Sequence, residues 1–356
     1  MTALDAGVRT VVPRAVALAR SATFPRLRYM GSKYRLMPHL ASLFEEVGGG
    51  RALDAFSGSG VVSYLLKAQG FEVTSNDFLA FPGAITTATV VNNAETLTPD
   101  DIDVICSPNA DGRDFIAKTF DGLYFDAEDR TFLDSAWSHI DLMTGAKRAL
   151  AISALVLSAA RKQPRGVFTF TDSSKYADGR RDLSLTMREH FRERAADYNA
   201  AVFNDGQTHT SLVGDVSDLD GSGYDLVYLD PPYAPPTDDA DYMKRYHVLQ
   251  GLAVYWRDQE IMQETKTKKI AKKFTPFAYK RHIESALAGV FDQFHDAGTI
   301  VLSYSSNAVP DAKVIVSLLS NVKSDVQLHQ IDHNYSFGTH GAATRRNVSE
   351  YLFVAR

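Results

Sequence analysis

The sequence holds a single cysteine, Cys106, in 356 residues. An internal disulfide and a multi-cysteine zinc site are both excluded, which suits a reducing cytoplasm. Long hydrophobic runs are missing too. No apolar stretch approaches the ~18 residues of a membrane span, and the N-terminus has no apolar signal-peptide core. Neither a membrane partner nor secretion is expected. Internal repeats, heptads and low-complexity tracts are absent. Nor is there an excess of positive charge, since 38 Lys and Arg face 43 Asp and Glu for a net charge of −5. That balance looks adverse for a partner of nucleic acid, but the placement of cations decides more than their sum. Between residues 265 and 282 there are seven cations and no acid: Lys266, Lys268, Lys269, Lys272, Lys273, Lys280 and Arg281. A second, arginine-rich stretch runs over 161–194 and includes Arg161, Lys162 and Arg165. A charge run taken alone is more often a solvated face than a phosphate track.

The apolar and charged fractions, 45% and 23%, are those of an ordinary globular chain, and the length fits one large α/β domain with a smaller insertion. The run from Asp225 to Leu229 reads as an inner strand of a parallel sheet. It ends in Asp230-Pro231-Pro232-Tyr233, and two prolines without N–H groups cannot continue a ladder. The loop therefore falls at the carboxyl edge of the sheet, where open α/β folds bind ligands. An acid and a fixed carbonyl there can accept both N–H bonds of a nucleobase amine and localise its lone pair, while Tyr233 offers a stacking face. A plain Pro-Pro turn with a surface tyrosine is the competing reading.

Upstream, Arg51 to Asp54 forms a short strand. Then come Ala55, Phe56, Ser57, Gly58, Ser59 and Gly60, and an apolar helix over 61–68. This is a first βα unit whose glycines let backbone approach a ligand. The next strand ends in Asp77, at the distance where a carboxylate reaches a ribose diol, although capping of the following helix would also explain an acid there. A strand at 210–214 ends in Asp215, which fits either an adenine-amine acceptor or a turn initiator. Near the N-terminus, Tyr29, Gly31, Ser32 and Lys33 form a tight turn before a helix over 36–46. Residues 1–22 show no period and read as a loosely docked arm.

These motifs, in this order, resemble those of the DNA adenine-N6 methyltransferases of the Dam type, the D12 class, in the α-group whose recognition domain precedes the catalytic loop. The resemblance implies a Rossmann-like seven-stranded methyltransferase sheet, made of residues 23–92 and 208–356. It also implies an inserted, mostly helical target-recognition domain over 93–207. S-adenosylmethionine is the implied cofactor, with no metal. Tyr29, Lys33, Asp54, Phe56, Ser57, Gly58, Gly60, Asp77 and Asp215 would bind it, and Asp230, Pro231, Pro232 and Tyr233 would be catalytic.

Double-stranded DNA is the implied partner, contacted by Arg161, Lys162, Arg165, Lys268, Lys269, Lys272, Lys273, Lys280 and Arg281. A cognate restriction endonuclease would join it if the chain serves a restriction-modification system. The location would be cytoplasmic and nucleoid-associated, in a prokaryotic cell or a phage-infected host. Tyr246 and His247 are further candidates to face a flipped base, with a structural role for His247 equally open, and the 265–282 tract is expected to order on DNA. Cytosine-N4, RNA-adenine and protein-glutamine transfer remain open, as does a catalytically silent DNA-binding relative. The first residue of the Asp-Pro-Pro-Tyr run and the two basic tracts favour adenine in DNA.

Overall fold

The computed structural model describes residues 11–163, 168, 179–234, 242–335 and 346–356, without the side chains of 333–335 and 346–348. Thirteen helices and seven strands follow in chain order among them. They are α1 (Arg14–Ser21), α2 (Met37–Val47), β1 (Arg51–Asp54), α3 (Val61–Ala68), β2 (Glu72–Asp77), α4 (Ala80–Thr86) and α5 (Pro99–Ile105). Then come α6 (Phe115–Thr119), α7 (Ala127–Ile140), α8 (Gly145–Lys162), α9 (Arg181–Ser184), α10 (Met187–Ala201), β3 (Thr210–Val213) and β4 (Leu226–Leu229). The chain closes with α11 (Tyr242–Val254), α12 (Ile283–Gln293), β5 (Thr299–Ser305), α13 (Ala312–Ser320), β6 (Val326–Tyr335) and β7 (Arg346–Ala355).

The seven strands form one sheet in the order β3-β2-β1-β4-β5-β7-β6. Pairing is parallel from β3 to β5, and β7 inserts antiparallel between β5 and β6. Every residue of β4 is buried, as an inner strand covered on both faces requires. The strand order reverses between β1 and β4, so the loops after these two strands open into one crevice. One apolar layer, with Leu53, Val227, Ile300 and Phe353, backs onto α12 and α13. The other, with Ala52, Tyr228, Val301 and Val354, backs onto α2, α3 and the helices of the insertion.

The described part of 93–207 is helical, as expected, but it does not enclose a core apart from the sheet's. Twelve successive residues of α8, Ala149 to Ala160, are buried, so this helix is surrounded rather than amphipathic. Its core is continuous with that of α4 and α11. Buried polar ties reinforce the docking. Trp137 Nε1–H donates to the Leu252 carbonyl at 3.0 Å, and Asp134 accepts from the Ile116 and Ala117 amides and from the Tyr255 hydroxyl.

Two expectations change. Within the supposed N-terminal arm, α1 is a packed helix: Ala17 is buried, and Arg14 donates to Ser42 and Glu45 of α2. The chain is extended at Tyr279, after the single turn Pro276–Ala278, and α12 starts at Ile283. The basic tract is already anchored, with Ile270 and Phe277 buried and an isolated bridge between Ile261 and Ile270. No helix among the described residues is long and apolar enough to cross a membrane.

A shared core predicts one unfolding transition. Trp137→Ala should lose about 3–5 kcal/mol while far-ultraviolet circular dichroism and the fluorescence of Trp256 still move at one denaturant midpoint. Two separated midpoints would mean that the helical segment folds apart.

Candidate active site

Four loops meet at the carboxyl edge of β1, β2 and β4 and line a cavity with about 990 Å³ of empty space, its open mouth included. Tyr29 to Lys33 form one wall, Asp54 and Phe56 to Ser59 the floor, Asp77 to Leu79 the second wall, and Asp230, Pro232 and Tyr233 the third. Tyr242 and Met243 of α11 close over it, and Lys272 and Lys273 stand at its rim.

The glycine loop is held from β2. The Gly58 and Leu79 amides donate to the two oxygens of Asp77 at 2.8 and 2.9 Å, and the Ser57 amide donates to the Asn76 carbonyl. Burial pushes the Asp77 carboxyl up to about 6. Gly58 has φ +49°, and a Cβ there would stand 2.8 Å from Cε1 of Tyr29, so backbone conformation and space both demand glycine. The Tyr29 ring in turn stacks on Tyr246, centroids 4.8 Å apart and planes within 3°, and Tyr246 Oη accepts from the Met30 amide. Tyr246 therefore braces the first wall rather than meeting a base directly. Next to it His247 is buried, with Nε2 3.0 Å from the Phe168 carbonyl, which is a structural role.

Asp54 is fully buried. Ser63 Oγ donates to its Oδ2 at 2.6 Å, and its Oδ1 has no hydrogen-bond partner among the described residues. Burial raises its carboxyl to about 7. An unmatched buried acceptor on a cavity floor suits a ligand ammonium.

Asp230 is tied from two sides. Lys33 Nζ lies 2.8 Å from Oδ2 and donates also to the Gly31 carbonyl at 2.6 Å. The Tyr233 hydroxyl donates to Oδ1 at 2.9 Å. Burial pushes the Asp230 carboxyl above its ordinary range, while the Lys33 charge and its hydrogen bond pull it back. The sequence offered Lys33 as a cofactor contact; the structure makes it the counterion of Asp230, at 4% exposure. Likewise Tyr233 points its hydroxyl at the acid, its ring edge-on to Tyr304 with Lys33 Nζ 5.0 Å from its centre.

Phe56 lines the cavity and packs edge-on against Phe277, and Gly60 begins α3 at φ +82°. Asp215 is not brought to the site. Its carboxylate caps its own turn by accepting from the Ser217 amide and hydroxyl, the turn-initiating alternative. Phe78, Leu79, Tyr242 and Met243 were missed, although Phe78 and Leu79 directly follow the flagged Asp77.

The cationic candidates divide. Lys272, Lys273, Lys280 and Arg281 are exposed, and Lys269 is half-buried. Beside them Phe274 is 59% exposed and stacks on Tyr279 at 5.4 Å, an aromatic overlooked among the lysines. Lys268 instead donates to the Thr119 carbonyl. Lys162 pairs with buried Asp129, and Arg161 donates to the Arg26 carbonyl near Asp182. Lys162 and Arg161 thus have acidic partners within the fold, and Lys268 is held by a carbonyl. Arg165 lies outside the described residues.

Comparison with known proteins agrees with this geometry. The family described as D12 class N6 adenine-specific DNA methyltransferase matches residues 29–336. The chain is 28% identical over 345 residues to the Type II methyltransferase M2.HphI of Haemophilus parahaemolyticus, covering 93% of this chain and 97% of that one. A solved structure, a candidate RNA methyltransferase from Pyrococcus horikoshii, is 11% identical with a TM-score of 0.32 over 97% of this chain and 99% of its own. A likeness that distant carries no argument.

The Asp54 carboxyl gives a stability test. Its folded pKa lies above the ordinary value, so its contribution is full at acid pH and fades as pH rises through about 7. Asp54→Asn has no such loss. Its stability relative to wild type, followed by thermal melts, should climb between pH 5 and pH 8 by an amount on the order of 1–3 kcal/mol. A constant difference across that range would show that Asp54 does not titrate there.

Proposed function

Because the chain belongs to the D12 class of N6 adenine-specific DNA methyltransferases, and so methylates N6 of adenine at specific DNA sites, we propose that its cavity divides into a cofactor half and an amine half. The cofactor half is Asp54, the Ser57–Gly60 loop, Asp77 and the aromatic wall of Tyr29, Phe56 and Phe78. S-adenosylmethionine supplies an electrophilic methyl group on a sulfonium. For its amino-acid end the unmatched Oδ1 of Asp54 is the fitting acceptor, and Gly58 leaves the room that a side chain would fill. Asp77 already accepts one amide on each oxygen, and the second lone pair of each remains for a ribose diol.

The amine half is Asp230, the Pro231 carbonyl and Tyr233. An adenine amine is a weak nucleophile while its lone pair is shared with the ring. Two acceptors on its N–H groups localise that pair, and the ion pair with Lys33 favours the carboxylate form of Asp230 at a buried site. The target base must leave the duplex to reach the cavity, at a cost of a few kcal/mol in lost stacking. Catalysis is then orientation plus polarisation of the amine. The observation that carries this reading is the Lys33–Asp230 pair on the wall of the cavity whose floor holds Asp54.

Lys272 and Lys273 at the rim, with the exposed Lys280 and Arg281 farther along the chain, would track phosphates beside the extruded base, with exposed Phe274 available for stacking. The helical segment before β3 would carry target recognition. Since the similar protein from Haemophilus is named a Type II methyltransferase, a cognate restriction endonuclease fits as the functional partner of this chain.

Two measurements test these roles with labelled S-adenosylmethionine, duplex DNA and nucleoside mass analysis. Asp230→Asn keeps an amide oxygen for Lys33 and so keeps the Tyr29–Lys33 turn in place; it should lower kcat by about 10²–10³ while the dissociation constant of the cofactor stays within severalfold, and loss of both together would refute the two-half assignment. Lys273→Gln should weaken DNA binding at every sequence and reduce the slope of log affinity against log salt by about 0.9. An unchanged slope would remove Lys273 from the phosphate track.

A further inference from the structure

Behind Asp230 the sheet supplies a second acid that no motif marked. Glu350 lies on β7, opposite Ser305 of β5 and Ile331 of β6, and is 4% exposed. Its Oε2 stands 3.3 Å from the Tyr233 hydroxyl, and Ser303 Oγ is 3.4 Å from the same hydroxyl. Tyr233 is thus flanked by two carboxylates, with Asp230 Oδ1 the nearer at 2.9 Å.

A phenol carries one proton and can donate it to one acceptor at a time. Lys33 occupies the Oδ2 side of Asp230, so Oδ1 is the oxygen whose two lone pairs Tyr233 and an incoming amine would share. While Tyr233 donates there, the acid has less to offer the amine. A buried hydroxyl released without another acceptor would be left unsatisfied, which is costly. Glu350 removes that cost, because the hydroxyl reaches it by rotating about its C–O bond.

We propose that Glu350 is a positioning residue that takes over the Tyr233 hydrogen bond when the target amine engages Asp230, so that Tyr233 alternates between two carboxylates. This rests on the assignment of Asp230 as the amine acceptor and adds to it a device outside the Asp-Pro-Pro-Tyr run. Tyr233 keeps its proton throughout, and only hydrogen bonds exchange. Burial and the neighbouring Asp230 raise the Glu350 carboxyl and Lys33 lowers it, yet the device does not require Glu350 to titrate, since either form offers an accepting oxygen.

The test is a set of full-length variants assayed for kcat and KM on duplex DNA, cofactor affinity and melting temperature. Glu350→Gln retains an amide oxygen at the same place and should keep kcat within a few fold of wild type, whereas Glu350→Leu should lower kcat by about tenfold or more with cofactor affinity and melting temperature preserved. In a Tyr233→Phe background the contested proton is gone, and Glu350→Leu should cost nothing further. The proposal is overturned if Glu350→Leu leaves kcat unchanged, or costs the same with and without the Tyr233 hydroxyl, or if Gln is as harmful as Leu. A wild type that methylates no adenine would instead overturn the parent assignment, and the proposal with it.

Discussion

The ion pair of Lys33 with Asp230 joins the turn before α2 to the loop after β4, across the whole helical insertion in sequence. Burying two charges is unfavourable, and breaking such a pair from one side costs about 3–5 kcal/mol because the remaining charge is stranded. The pair therefore couples the two loops: the Tyr29–Lys33 turn cannot leave its place without exposing or orphaning Asp230. The stack of Tyr29 on Tyr246 and the space cleared by Gly58 extend the same constraint to α11 and the glycine loop. The proposed cofactor wall and the proposed amine acceptor are in this way parts of one braced unit.

The sheet was legible because each element carried a strong local signal. Four buried residues stopped by two prolines could only be an inner strand at the carboxyl edge, and the Gly58–Gly60 loop between strand and helix fixed the neighbouring crevice. What the sequence could not show is which charges answer one another. Lys33 resembled a ligand-facing lysine, and its partner stands on the far side of the insertion. Lys162 and Lys268 sat in basic tracts and so looked like phosphate contacts, yet each is consumed by an internal acceptor. Glu350 was invisible for a related reason. It sits in an edge hairpin with no motif around it, and it matters only through the register that sets β7 beside β5.

The helical insertion shows how composition misleads about autonomy. Its length argued for a separate domain, since a connection within a compact sheet is short. Length, however, says nothing about where apolar faces go. The buried run of α8 turns toward α4 and α11, and Trp137 and Asp134 fasten α7 to Leu252 of α11 and to Tyr255 just beyond it.

That shared core bears on how site preference can diverge in proteins built this way. A recognition unit hinged on a linker can be exchanged whole, with its contacts to the catalytic sheet left intact. Here an exchange of residues 93–207 would strip the packing from α4 and α11, and α11 holds Tyr246, which braces the cofactor wall. New specificity must then arise by piecemeal change in surface loops over an invariant helical scaffold. On the proposed role of residues 93–207 in target recognition, the chain's evolvability is confined to its rims, and its interior commits the reading of DNA and the chemistry on it to a common fate.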